Sequence, residues 1–452
     1  MRSLLLIVLG LLALAPAAHA ATVRVDNVCE NPTHRLETCT DVLSFQAAPG
    51  EANDVSASVT GTVLVVRDAG APLTAGPGCT QVDATSAQCR KASGSVSLGD
   101  GNDRLAFPAT LSINVLGGAG DDVIAAAGIV RGGDGNDTLA GSRLDGGAGN
   151  DVLTGTAAAD DLFGDLGDDT IDGGAGRDTV EYGLAPSFGT DTPRAGPPLA
   201  VTVDLVDPAP DGASGERDTL RAVENVTASD AAGDILRGDD GRNVLSGGDG
   251  RDELLGRGGG DQLDGSGELD GGSGDDVLTG DFREDVLRGG AGDDRLAGLG
   301  DADILEGGSG DDRIDASEQV GARTFDVDEI RCGSGRDRVS EPDIYDRAGG
   351  CERIAVGGGL VVDSSTLVKR AGPRVEVIVR CARTNRRCVA SVASAAASGV
   401  AFNPQTTVRL SPGKRLRLVL RRFNPGGKAR LRRSKVIAFG TKDHGFAVRL
   451  KS

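Results

Sequence analysis

The chain has no tryptophan and only 3% aromatic residues, so any core must be assembled from Leu, Val, Ile and Ala, as expected of a narrow roll. Nitrogen and sulfur ligands are scarce. Outside the first 20 residues the only histidines are His34 and His444, both far from the cysteines in sequence. No Cys-x-x-Cys occurs, so a zinc site is a poor reading. There is no His-Glu-x-x-His of a zinc protease and no Gly-x-Ser-x-Gly elbow, and neither histidine sits in a catalytic motif. A glycosidase needs only two carboxylates, but most of the 67 acidic residues are explained by the repeat described below. Long apolar runs are also missing. The one at residues 4–14 is shorter than the roughly 20 residues that span a bilayer. With Arg2 before it and Ala18-His19-Ala20 after it, residues 1–20 read as a secretory signal peptide. No transmembrane segment is expected elsewhere.

What the chain has in quantity is glycine, 70 residues of it, set in a strict frame. From residue 98 to 339 a glycine-rich turn ending in aspartate is followed by a short apolar strand, as in Gly289-Gly-Ala-Gly-Asp-Asp-Arg-Leu-Ala297. Asp276, Asp285, Asp294, Asp303 and Asp312 recur every nine residues, each followed two positions later by Leu or Ile. Asp151, Asp160, Asp169 and Asp178 form a second run, and Asp234, Asn243, Asp252 and Asp261 a third. Earlier copies end at Asp103, Asp122 and Asp137.

The glycines let the backbone turn sharply through positive φ and bend carbonyl oxygens toward one point, where the aspartate adds a charged oxygen. A hard cation taking six to eight oxygens at irregular geometry, calcium rather than magnesium, suits such a set. An EF-hand does not fit, because the flanks are not helical and no twelfth-position glutamate closes a loop. The residues after each aspartate alternate polar, apolar, polar, so one side chain per repeat points inward. Two repeats would make a coil of about 18 residues, and stacked coils would bury a continuous aliphatic file. That spacing predicts shared sites between Asp276 and Asp294, Asp285 and Asp303, Asp294 and Asp312, Asp151 and Asp169, and Asp160 and Asp178. Stacked carboxylates without metal would repel, so binding should appear as folding free energy.

The copies resemble the Gly-Gly-x-Gly-x-Asp-x-U-x nonapeptide of the RTX, or hemolysin-type, calcium-binding family, with U a large aliphatic. Seven copies, beginning at Gly132, Gly146, Gly173, Gly247, Gly271, Gly289 and Gly307, match every fixed position. The resemblance implies an all-β, right-handed parallel β-roll that binds several Ca2+ ions through turn carbonyls and aspartates. Carried onto this chain, the implied ligands are Asp122, Gly132, Asp134, Asp137, Gly146, Asp151, Asp160, Asp169, Gly173 and Asp178 in the first array. In the second they are Asp234, Gly247, Asp249, Asp252, Asp261, Gly271, Asp276, Asp285, Gly289, Asp294, Asp303, Gly307 and Asp312. The turns at 155–160 and 280–285 lack inner glycines, the turn at 238–243 ends in Asn243, and the copies at 141–145 and 265–270 are truncated. These turns are expected to be weak or empty.

The organisation read from sequence is a signal peptide at 1–20, a β-rich N-terminal cap at 21–97 and a first array at 98–181. An insertion or widened coil at 182–233 follows, with a second roll as its alternative, then a second array at 234–340. A disulfide cap and linker at 341–372 leads to a small basic β-sandwich at 373–452. Eight cysteines fall into four close pairs, Cys29/Cys39, Cys79/Cys89, Cys332/Cys351 and Cys381/Cys388, which in an exported chain predicts four local disulfides. Residues 371–452 hold 19 Lys or Arg against 2 Asp or Glu, a balance of +17, leaving −36 on the rest of a chain whose net charge is −19. That tail is the solvated face of a β-sandwich, a patch for an anionic cell-wall polymer or glycan, or a segment attracted to the chain's own acidic roll. Sparse aromatics argue against nucleic acid. The sequence therefore predicts a secreted, non-enzymatic calcium-binding module. The alternatives are a cell-surface adhesin that docks through the tail and a calcium-dependent enzyme acting on polysaccharide.

Overall fold

The computed structural model describes residues 20–29, 39–182, 199–207, 209–228, 233–316, 328–340 and 351, and the strand backbones of residues 347–450. Every regular element among them is a β-strand, and no helix is long and apolar enough to cross a membrane. The signal peptide expected at 1–20 lies outside the described residues apart from Ala20.

The chain divides into two units, Met1–Gly176 and Arg177–Ser452. In the first, two walls of parallel strands face each other. One wall runs Cys39–Gln46, Ser93–Asp100, Ile113–Ala119, Ile129–Asp134, Arg143–Ala148 and Asp161–Leu166, each hydrogen-bonded in parallel to the next. The other runs Asp54–Thr60, Arg104–Ala106, Val123–Ala125, Thr138–Ala140, Val152–Thr154 and Thr170–Asp172. One apolar side chain per three-residue strand points inward, so Leu105, Ile124, Leu139, Leu153 and Ile171 stack in register and are buried. Val96, Val115, Val130, Leu144 and Leu162 oppose them. The parallel stack starts with Cys39–Gln46 and Asp54–Thr60, ahead of the first Gly/Asp turn. Hairpins extend from it: Ala21–Cys29 is antiparallel to Cys39–Gln46, and Val63–Asp68, Ser86–Arg90 and Cys79–Asp83 follow from Asp54–Thr60. They cover strand edges that would otherwise be open to pairing with another chain.

The second unit repeats the pattern over residues 235–340. Leu245, Leu263, Leu278, Leu296, Ile314 and Val339 line one wall, and Leu236, Leu254, Leu269, Leu287, Leu305 and Ile330 the other. The segment between the arrays contributes Val201–Asp204, paired antiparallel with Gly212–Ala213 and parallel with Ile235–Arg237, and Asn225–Thr227, parallel with Val244–Leu255. It therefore adds strands to this unit's coils and carries a short hairpin. Arg353–Val356 still pairs in parallel with Arg338–Ser340, and from there the pairing becomes antiparallel, through Leu360–Asp363, Arg374–Cys381, Arg415–Arg421, Phe446–Leu450 and Lys435–Phe439.

Disulfides join Cys79 to Cys89 and Cys332 to Cys351. Cys29 and Cys39 are register partners on the backbone, but their side chains, like those of Cys381 and Cys388, lie outside the described residues.

Candidate metal centre

Except for Asp252, which lies within Val244–Leu255, the repeat aspartates are the last turn residues before a strand; Asp294, for instance, immediately precedes Arg295–Ala297. That position puts its side chain under the turn of its own coil and beside the preceding one. Its Oδ1 accepts the backbone N–H of the equivalent residue one coil earlier. In the first unit Asp103 donates to Asp122 (2.8 Å), Asp122 to Asp137 (2.8 Å), Asp137 to Asp151 (2.7 Å) and Asp151 to Asp169 (2.8 Å). In the second, Asn243, Asp261, Asp276 and Asp294 donate in turn to Asp261, Asp276, Asp294 and Asp312 at 2.7–3.0 Å. On the opposite wall Gly267 donates to Asp285, and Asp285 to Asp303. The structure thus brings together Asp276 with Asp294, Asp294 with Asp312, Asp285 with Asp303 and Asp151 with Asp169; Asp160 and Asp178 belong to different units. The spacing is less uniform than nine-residue counting suggests. Truncated copies shorten some coils, so Asp122 reaches Asp137 over 15 residues and Asp137 reaches Asp151 over 14.

The second carboxylate oxygen is left over. Oδ2 of Asp122, Asp137, Asp151, Asp234, Asp252, Asp261, Asp276, Asp294 and Asp312 is buried without a hydrogen-bond partner, on residues no more than 3% exposed. An uncompensated buried anionic oxygen is costly, and its repetition along three files points to a cation. Beside each Oδ2 except that of Asp234 lies the first glycine of the turn. A Cβ built on Gly289 would stand 2.4 Å from Asp294 Oδ2 and 2.6 Å from the Gly307 carbonyl oxygen of the next coil. Gly132, Gly146, Gly247, Gly271 and Gly307 likewise abut the Oδ2 of Asp137, Asp151, Asp252, Asp276 and Asp312, and Gly155 abuts Asp160 Oδ2 and the Gly173 carbonyl. The first glycine is therefore required for close approach, whereas Gly290 and Gly292 are required for positive φ (105° and 138°). Among the described residues no group of three or more His, Cys, Asp or Glu side chains is gathered to hold a metal. A cation here would draw its shell from one carboxylate per turn and from carbonyls, which suits calcium. Gly289→Ala should fill this space and lower calcium-saturated stability by about 1–3 kcal/mol, measured as a shift in the urea midpoint.

Burial dominates the electrostatics. It pushes the carboxyls of Asp122, Asp151, Asp261 and Asp294 up to about 7, against the N–H bonds each accepts, and neighbouring aspartates add to the rise. Asp137, Asp276 and Asp312 are raised for the same first cause. Burial also raises Asp103, with Asp68 and Asp100 contributing.

The remaining expected ligands are placed differently. Asp234 Oδ1 accepts the Val201 N–H and its own N–H goes to Asp252. Asp160 accepts the N–H and hydroxyl of Thr156 within its own turn, and the Asp178 N–H is bound by Glu224. Asp134 and Asp249 are exposed on the turn surface, away from the buried file.

Two features escaped the sequence reading. In the first unit the residue before each stacked aspartate forms an outer ladder running the opposite way: Asp121, Asn136, Asn150 and Asp168 donate N–H groups to the Oδ1 of Asn102, Asp121, Asn136 and Asn150. The signal was the unbroken Asx at that position. The second is at the amide turn. Asn243 Oδ1 accepts the Asp239 N–H and Nδ2 donates to the Glu224 carbonyl, while the Arg257 guanidinium donates to the Gly238 carbonyl (2.6 Å) and to both Asp204 oxygens (2.7 Å each). A protein cation binds at a turn whose aspartate has become an amide. Arg257→Ala should cost about 2–3 kcal/mol, read from urea melts in saturating calcium.

Residues 129–143, 145–180, 230–263, 264–282, 270–305 and 279–314 match the family model described as RTX calcium-binding nonapeptide repeat (4 copies). A search among curated proteins gives no match for this chain.

Proposed function

We propose that this chain, which carries RTX calcium-binding nonapeptide repeats, takes up several Ca2+ ions in its turns and uses them to fold and stiffen an extracellular, non-enzymatic β-roll module. One observation carries the reading: files of buried aspartates spend one oxygen on the neighbouring coil's N–H and keep the other unbonded.

The residues that would hold the ions are Asp122, Asp137 and Asp151 in the first unit and Asp252, Asp261, Asp276, Asp294 and Asp312 in the second. The carbonyls of the first glycines join them, among them Gly132, Gly146, Gly271 and Gly307. Asp160, Asp169, Asp178, Asp234, Asp285 and Asp303, with Gly173, Gly247 and Gly289, complete the set, and Asp134 and Asp249 are its outermost candidates. Bound calcium supplies positive charge between stacked carboxylates. The protein contributes pre-bent carbonyls, fixed carboxylates and a dry aliphatic file beneath them. Extracellular calcium modules bind at about 10⁻⁴ to 10⁻³ M, so a roll of this kind stays open in the cytosol and closes after export. The leader-like residues 1–20 and the Cys79–Cys89 and Cys332–Cys351 disulfides favour an oxidising compartment. The +17 charge of residues 371–452 favours attachment to an anionic polymer or glycan at the cell surface as a second reading.

Equilibrium dialysis of the full chain against calcium, with magnesium as control, tests the binding. Several calcium ions per chain, fewer in Asp294→Asn and Asp151→Asn and with little magnesium uptake, support it. Equal uptake of magnesium, or no loss in the variants, rejects it.

A further inference from the structure

The stacked aspartates of the first unit begin at a coil that has no Gly/Asp turn. Asp54 pairs in parallel with Arg104, so Asn53 occupies the place that Asp103 holds one coil later. Its N–H donates to Asp103 Oδ1 at 2.6 Å and its Nδ2 reaches the same oxygen at 3.4 Å. The next N–H along the chain, that of Asp54, donates to Asp68 Oδ1 at 2.9 Å. Asp68 comes from outside the repeats, at the end of the capping strand Val63–Asp68. Two carboxylates from separate parts of the chain therefore close on consecutive N–H groups of one short segment.

Each of the three side chains keeps one oxygen unused. Asp68 Oδ1 is saturated by the N–H groups of Asp54, Gly70 and Ala71, yet its Oδ2 is buried without a partner, as are Asp103 Oδ2 and Asn53 Oδ1. Asn53, Asp68 and Asp103 are 2%, 0% and 1% exposed. Among the described residues no Lys or Arg pairs with either carboxylate. A buried water has only two O–H groups to donate to three acceptors and would leave two negative charges uncompensated, whereas a divalent cation would satisfy the oxygens and the charge together. Gly70 belongs to the same arrangement: a Cβ on it would stand 2.2 Å from the Ala52 carbonyl oxygen, so the loop after Asp68 must pack directly against the backbone leading into Asn53.

We propose that Asn53, Asp68 and Asp103 form a calcium site at the N-terminal end of the array, in which a carboxylate from the capping hairpin stands in for the coil that is missing there. The site extends metal binding beyond the nonapeptides and fastens the hairpin to the first coil of the roll. Its ligands are all oxygen and two are charged, the donor set of a hard cation.

The test is anomalous scattering from crystals of the full chain grown in calcium and recorded at long wavelength. A peak bounded by Asn53 Oδ1, Asp68 Oδ2 and Asp103 Oδ2 is expected. Peaks in the nonapeptide turns with none at this position overturn the cap site alone; peaks nowhere overturn the turn sites as well. In solution, Asp68→Asn keeps the Oδ1 acceptor and removes the charge. It should lower the calcium count of the dialysed full chain by one while circular dichroism in saturating calcium stays that of the parent. An unchanged count overturns the proposal, and if the variant does not fold, the anomalous map of the parent chain decides.

Discussion

Stripped of calcium at pH 8 and low ionic strength, the chain should lose most of its β-sheet circular dichroism and regain it on addition of millimolar calcium but not of magnesium. The size of the effect follows from the file itself. Neighbouring coils are about 4.8 Å apart, and two like charges at that distance repel by about 3 kcal/mol at an effective dielectric of 20. In the first unit Asp103, Asp122, Asp137, Asp151 and Asp169 stack one above another. Four such neighbour terms are comparable with the whole 5–15 kcal/mol that stabilises an ordinary domain. Against them stands only a narrow aliphatic core of one side chain per strand, such as Leu139 and Leu153, too little to hold the coils closed. The Cys79–Cys89 and Cys332–Cys351 disulfides leave the array between them unconstrained. A calcium-free spectrum matching the loaded one would show that stacking charge does not govern the fold.

The coil architecture was legible in the sequence because both of its physical requirements are written at fixed positions. The inward file is one aliphatic residue per repeat, Leu278, Leu296 and Ile314 for example, and the turns need glycine where φ is positive. The buried carboxylates were legible for the same reason, since Asp276, Asp294 and Asp312 keep one frame. Other features depend on distances between segments that spacing does not encode. Asp68 carries no repeat signature and reaches the Asp54 N–H, next to Asn53, only through hairpin pairing. Arg257 occupies a glycine-like conformation, φ 73°, and its partner Asp204 lies 53 residues earlier. Coil length was also misjudged by simple doubling of the repeat, because the truncated copy at 141–145 brings Asp137 and Asp151 into adjacent coils. At the far end Cys332 takes the first-glycine place, register-matched to Gly307 by the Glu306–Arg331 and Gly308–Gly333 pairs. A side chain thus sits where earlier copies keep none.

Acid should substitute for calcium. The carboxyls of Asp122, Asp151, Asp261 and Asp294 stand at about 7 in the metal-free fold, raised first by burial, against an ordinary 3.8. Between those two values the folded chain binds more protons than the unfolded one, so stability rises as the pH falls from about 7 toward 4 and is lost as it climbs through 7. Each group contributes on the order of a kcal/mol or more over that window, and several stack in each file. Metal-free protein in chelator-treated buffer should therefore be largely open at pH 8 and recover β-sheet signal at pH 5, with no calcium present. Calcium needs the ionised carboxylates, so its affinity must weaken over the same interval and protons must be released on binding near pH 6. Circular dichroism from pH 8 to 5 checks the first statement, and calorimetric titration in buffers of different ionisation heat checks the second. A metal-free chain that stays open at pH 5 would mean that something other than carboxylate repulsion, such as the bending of the carbonyls, is what calcium relieves.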